Sequence, residues 1–242
     1  MEFTFYGDLL GIGSAYKLGA SVAYEKLNTF YNETFRTLDA FCDGHGNDVE
    51  MFSDSLFIKG EEAPLAVKDI SSVFANLIRM GLLLRGAMVK GKLRFDTRIT
   101  KSNFAKRLSK DDTLARANGL EKMQKGARFL IESALADQLL HDVPEWKTQD
   151  GYLRCIHATA DDSLRRICPT PDSTSYEYLY YWSPGVGVEE YGEKIKDLKD
   201  IMVMCDKTSR EHYKQTIAVI ERARNRHKTT QDRLQEGGAS YG

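Results

Sequence analysis

The feature that most constrains the fold is the order in which two hydrophobic periods alternate over residues 2–89. Residues 2–10 alternate Phe3 and Phe5 with smaller or polar neighbours and run into Gly7-Asp8-Leu9-Leu10-Gly11-Ile12-Gly13, a strand closed by a tight glycine loop. Ala20, Ala23, Tyr24, Leu27, Phe30, Tyr31, Phe35 and Leu38 then recur at three- and four-residue intervals. That spacing predicts one long amphipathic helix whose aromatic residues serve as core or dimer contacts. After a loop at 43–47, residues 49–58 read as two short strands bent at Ser53-Asp54. Leu65, Val67, Ile70, Val73, Phe74, Leu77 and Ile78 mark a second helix closed near Gly81, and residues 83–89 return as a strand. The order β-α-β-β-α-β predicts an α+β fold of the split βαβ, ferredoxin-like kind: an antiparallel sheet with helices on one face.

Further along, Asp111-Asp112-Thr113 opens a third helix over 111–125, because acidic and hydroxyl side chains suit a helix N-terminus. Gly126 ends it, residues 127–131 form a strand, and 152–156 and 176–182 read as added strands. Residues 189–226 are charged and helical, and from Thr229 to Gly242 the chain is a polar, frayed tail. The expected organisation is a catalytic core over 1–140, strands and helices packed on it over 141–228, and a flexible tail over 229–242.

With 242 residues, 42% hydrophobic, the chain can bury one sizeable core. A net charge of −1 calls for no DNA, RNA or acidic membrane partner, but leaves room for a small anionic ligand. Cys42, Cys155, Cys168 and Cys205 are scattered without a C-x-x-C pattern, and the five histidines lack zinc-ligand spacing. The cysteines read as reduced packing residues of a cytoplasmic protein. No apolar run approaches the ~20 residues that span a bilayer, so a soluble chain is expected.

Two aspartates stand out against this background. Asp8 lies at the end of an apolar strand, and Asp54 lies in the bend of Met51-Phe52-Ser53-Asp54-Ser55-Leu56-Phe57. An ionised carboxylate at the end of a buried strand is costly unless it is paired or binds a cation, so two that converge point to a divalent-metal site suited to phosphoryl transfer. The backbone N–H groups from Leu10 through Gly11, Ile12, Gly13 and Ser14, in a glycine turn opening a helix, are candidates to hold phosphates. Arg85 could add a charge-assisted fork.

Taken together, Asp8-Leu9-Leu10-Gly11, Ser53-Asp54-Ser55-Leu56-Phe57 and Arg85-Gly86-Ala87-Met88-Val89-Lys90-Gly91 resemble the class III nucleotide cyclase catalytic domain. Within it they resemble the bacterial pyrimidine cyclases of Pycsar antiphage defence, over roughly residues 1–135. The resemblance implies Asp8, the Leu9 position and Asp54 as metal ligands for two Mn²⁺ or Mg²⁺ ions. It also implies a nucleoside triphosphate substrate, UTP or CTP, a homodimer with composite active sites, and a product that acts through a cyclic-nucleotide effector. Glu50, four residues before Asp54, takes the base-choosing position. A carboxylate only accepts hydrogen bonds, so Glu50 suits uracil N3–H or the cytosine amino group, with a lean to UTP, and would also suit guanine. Purine cyclases of the class carry Asn-x-x-x-Arg on the helix before the final strand. Aligning Thr113 to Gly119 puts Ala115 and Gly119 there, so Arg116, Arg128 or the basic loop 94–107 would have to substitute. A divergent adenylate or guanylate cyclase, and a non-catalytic nucleotide-binding domain, are the competing readings.

Overall fold

A computed structural model describes residues 1–44, 47–96, 109–147, 153–157, 174–179 and 188–238. Its elements run β1 (Phe3–Leu9), α1 (Ile12–Leu18), α2 (Ala20–Gly44), β2 (Asp48–Phe52), β3 (Ser55–Gly60), α3 (Ala63–Arg79) and β4 (Leu84–Lys90). Then come α4 (Thr113–Lys122), β5 (Phe129–Glu132), α5 (Ser133–Asp142), a 3-10 turn (Pro144–Lys147), β6 (Leu153–His157), β7 (Thr174–Tyr178), α6 (Val188–Val203) and α7 (Lys207–Gly238). The sheet order is β2-β3-β1-β4-β5-β7-β6. Its first four positions are the split βαβ order expected from the sequence, with β1 antiparallel to both β3 and β4.

One face of the sheet carries the main core. Phe3, Phe5, Leu9, Leu56, Ile58, Leu84, Met88, Phe129 and Ile131 are buried under α2, α3, α5 and the C-terminal helices. Phe5 meets Phe74 and Phe129 edge-on at 6.3 and 5.5 Å. Gly86 is required there by close approach, since a Cβ would stand 2.4 Å from the Phe5 ring.

The opposite face differs from the expectation of helices on one side only. There α4 packs Ala117 and Leu120 on Ala87, Val89 and Leu130, with Tyr6 alongside. Nor is the sheet wholly antiparallel, because β4 and β5 run parallel, joined by the crossover that contains α4. The expected long helix is α2, preceded across Gly19, whose φ of 148° suits glycine, by the short α1, and its stripe is split by burial. Ala23, Phe30 and Leu38 are buried, whereas Tyr24 and Phe35 stay exposed. The charged 189–226 segment is two helices turned at 204–206, and α7 continues to Gly238 across residues expected to fray. Helix α5, which the sequence reading did not single out, buries Leu135, Ala136 and Leu139. Most of the basic 94–107 loop, from 97 on, lies outside the described residues.

Candidate active site

Three strand ends meet where β1 finishes. Asp8 stands in register with Ser55 on β3 and Arg85 on β4. Asp54 is drawn to the same place by its backbone, whose carbonyl accepts from Leu9 N–H at 2.8 Å. The turn that presents it is tight: Ser53 has φ 54°, a left-handed conformation that non-glycine residues seldom take outside constrained turns. Partial burial and the charge of Asp54 push the Asp8 carboxyl above its ordinary range, against the opposing effects of Arg85, Ser55 and Lys122. Ser55 Oγ lies 3.5 Å from Asp8 Oδ1 and 3.5 Å from the Tyr6 hydroxyl. Burial, followed by the surrounding negative charge of Asp8, Glu121 and Asp54, raises Tyr6 as well, with the Ser55 bond opposing.

Two mutually repelling carboxylates in a partly desolvated corner, only partly offset by Arg85 and Lys122, form a hard-oxygen donor pair that fits a divalent ion. Among the described residues no group of three or more His, Cys, Asp or Glu is placed to hold a metal. The pair therefore suits ions such as Mg²⁺, which take one or two carboxylates and fill the remaining positions with water and substrate phosphate oxygens.

Beyond Asp8 the chain turns at Gly11, φ 85°, into α1. The structure corrects one member of the phosphate loop: Leu10 N–H is already donated to the Leu83 carbonyl at 2.8 Å. The loop groups left for an anion are therefore those of Gly11, Ile12, Gly13 and Ser14. A cavity of about 410 Å³ opens beside them, walled by Leu10, Gly11 and Ser14 from the core and by Asp206, His212 and Tyr213 from the C-terminal helices. Ser14 Oγ donates to Asp206 at 3.0 Å. His212 accepts from Gly126 N–H through Nδ1 at 3.1 Å and is held below its ordinary pKa by burial first and Arg85 second.

The remaining sequence candidates separate sharply. Arg85 is at the site, and its Nε donates to the carboxylate of Glu121, which is 1% exposed. Glu50 shares the Asp8 face but pairs with Lys59 at 3.6 Å, one alternate position along the hairpin and about 7 Å from the Asp8 row. Arg116 lies at the other end of β4, bound to Glu132 and to the Lys90 carbonyl, about 17 Å along the strand from Arg85. Arg128 is corrected from a substrate contact to an internal ion pair: it is 5% exposed and meets Glu177, which Arg222 of α7 also grips.

Sequence reasoning missed Glu121 and Lys122. The signal was present, because the buried positions of α4 are Thr113, Ala117, Leu120 and Glu121, an i, i+4, i+7, i+8 stripe with a carboxylate in it. The same helix also carries Asn118 and Lys122 four residues apart, three positions beyond Ala115 and Gly119. The charge of Lys122 reaches both Asp8 and Glu121.

No sequence-family model matches the chain, and no curated protein matches it in sequence. Solved structures do match in shape. The adenylyl cyclase CyaB from P. aeruginosa aligns at 15% identity over 73% of this chain and 92% of its own, with a TM-score of 0.53. A bacterial light-regulated adenylyl cyclase aligns at 13% identity over 74% and 90%, TM-score 0.54. An adenylate cyclase structure from Trypanosoma brucei aligns at 12% identity over 77% and 91%, TM-score 0.56. The chain thus has the fold of the class III nucleotide cyclases, with Asp8 and Asp54 at one end of its central strands.

Proposed function

We propose that this chain is a cytoplasmic, metal-dependent nucleotide cyclase that converts UTP, or CTP, into the 3′,5′-cyclic monophosphate and pyrophosphate, a second messenger that signals phage infection to a cyclic-nucleotide effector. The observation that carries the catalytic reading is the convergence of Asp8 and Asp54 through the Asp54 carbonyl to Leu9 N–H bond, beside a glycine turn with unspent N–H groups. Asp8, Asp54 and the Leu9 carbonyl would hold two Mn²⁺ or Mg²⁺ ions. When bound, these ions lower the pKa of the 3′ hydroxyl and neutralise the triphosphate.

Cyclisation forms a bond from the 3′ oxygen to the α-phosphorus, breaks the bond to the β-phosphate oxygen, and releases the hydroxyl proton to solvent. Gly11 to Ser14 hold the departing β- and γ-phosphates through backbone N–H groups, and Arg85 stabilises the charge that grows on them. The pyrimidine choice rests on the motif resemblance and on Glu50 as an acceptor for N3–H, for which Lys59 supplies the counter-charge. A homodimer is part of the proposal. The sheet face that bears Asp8 is covered by α4 over β1, β4 and β5, while Phe52 at its β2 edge is 78% exposed.

The second reading, a purine cyclase, is favoured by the structures of similar fold, which are adenylyl cyclases. Incubating the purified chain with each of the four nucleoside triphosphates and Mn²⁺, and resolving cyclic products by mass spectrometry, separates the readings. Cyclic UMP or cyclic CMP is expected. Exclusive cyclic AMP or cyclic GMP would overturn the pyrimidine choice, and no cyclic product from any of the four would overturn catalysis.

A further inference from the structure

We propose that Glu121 is the positioning residue of this site: it holds Arg85 by Nε and keeps the guanidinium off Asp8, so that both Nη groups face the phosphate oxygens of a triphosphate or of pyrophosphate. The proposal rests on reading the Asp8–Asp54 corner as a polyphosphate site, and adds to it a residue from a different element.

Three observations carry it. Glu121 is buried at the end of α4 with one oxygen engaged by Arg85, and its other oxygen, Oε2, is buried without a hydrogen-bond partner. Arg85 stands directly across the ladder from Asp8, yet its ion pair is with Glu121 and not with Asp8. Among the described residues no acceptor other than Glu121 holds Arg85, so the Nη donors of a group with five N–H bonds are unspent. A pair that served stability alone would be expected to close as a bidentate fork with both carboxylate oxygens satisfied. This one is incomplete, and its arginine is the ladder partner of Asp8.

The physical need is a competition. Arg85 has a free choice between two carboxylates, and a salt bridge to Asp8 would neutralise the residue assigned to the cation. By taking the guanidinium at Nε, Glu121 leaves Asp8 for the metal and fixes the fork in one orientation, which reduces the ordering cost when phosphate arrives. The role is one of positioning, since among the described residues Glu121 is hydrogen-bonded to Arg85 and to no other side chain.

Inorganic pyrophosphate is the probe, because its binding does not depend on which base the enzyme accepts. Calorimetry would measure Mn²⁺ binding and Mn²⁺-supported pyrophosphate binding to wild type, R85A, E121A and E121Q. The pair replacement R85M/E121L removes both charges without leaving either buried alone. Thermal melts would identify which variants fold.

R85A and E121A should each weaken pyrophosphate binding about tenfold, the loss of one charge-assisted contact. R85M/E121L should be no weaker than R85A, and E121Q should recover most of the loss because its amide oxygen still accepts from Nε. E121A alone should also weaken Mn²⁺ binding, through capture of Asp8 by the released arginine, and R85M/E121L should restore it. Wild-type pyrophosphate affinity in folded E121A or R85M/E121L, or losses that multiply in the pair replacement, would overturn the proposal. Coupled loss in a protein that cyclises no nucleotide would leave the proposal standing and remove the catalytic reading instead.

Discussion

Among the described residues two glutamates are almost completely buried, Glu121 at 1% and Glu177 at 0% exposure, and each meets arginine in a different way. Glu177 on β7 is gripped by Arg128 from the start of β5 and by Arg222 from α7, so one negative charge answers two positive ones. Glu121 meets a single arginine, keeps an oxygen bare, and sits within the field of Asp8. Burying charge is expensive, and a structure that needs only stability pairs it fully. The Glu177 cluster ties the C-terminal helix to the sheet. The Glu121 pair is left incomplete where the sheet gathers two more carboxylates, at the proposed site.

The comparison can be broken first at the carboxylates. On the proposed reading, Asp8→Ala or Asp54→Ala should lower cyclic-nucleotide formation by at least about 10³-fold, because each would remove a ligand of the ions proposed to stabilise the transferring phosphoryl group. Both variants should stay folded, and Asp8→Asn should gain stability in metal-free buffer. The Asp8 carboxyl is raised in the folded state by burial and by Asp54. The folded protein therefore holds the proton that the unfolded chain has already released, and wild-type stability declines as pH rises from the ordinary aspartate range through the raised value. Melts of Asp8→Asn and wild type from pH 4 to 7 should diverge with rising pH. Parallel curves, or retained turnover in either alanine variant, would contradict the metal-site reading.

Glu177→Ala should do the opposite: cost stability first and chemistry only through it. Removing the shared carboxylate strands Arg128, 5% exposed, and releases Arg222, a loss of about 3–5 kcal/mol for a broken buried pair. In a domain of this size that corresponds to roughly 6–20 °C in melting temperature. If the folded fraction of Glu177→Ala bound pyrophosphate much more weakly than wild type, the division between a structural and a functional glutamate would fail.

The smallest effect is expected at the α6–α7 turn. Asp206 caps α7 by accepting from Thr208 N–H at 2.8 Å and Ser209 N–H at 2.9 Å, and it accepts from Ser14 of α1. The Ser209 bonds, then the Ser14 bond, lower its pKa to about 2. Its contribution is present above the ordinary aspartate range and fades as pH falls through about 2. Asp206→Ala should lower the melting temperature by about 2–4 °C near pH 7, an ordinary cap loss, with a smaller difference from wild type as pH approaches 2. A difference that does not shrink on acidification would rule out the carboxylate as its source.

Much of this is legible in the sequence. Strand and helix periods give the β1 to β4 order because burial of one face leaves its period in local sequence, as Phe3-Phe5 and the Leu65 to Ile78 stripe show. Asp8 and Asp54 were legible because a carboxylate inside apolar strand sequence is anomalous. Tyr24 and Phe35 misled for the reason that Phe30 did not: the stripe of α2 is wider than the surface it meets, and sequence does not report the width of a neighbour.

Glu121, Arg116 and Arg128 show where sequence stops. Each is a charged residue on or beside α4 and β5, and composition treats them alike. Their partners, Arg85, Glu132 and Glu177, lie 36, 16 and 49 residues away. Sequence alone determined the alternation of elements, the two strand-end aspartates and the glycine turn, since local backbone preference and one-sided burial act over a few residues. Tertiary structure alone decided which arginine reaches the aspartates, which is locked in the core and which glutamate is left half-satisfied. Ion pairing depends on distance in space, and the sheet order and the packing of α4 set those distances.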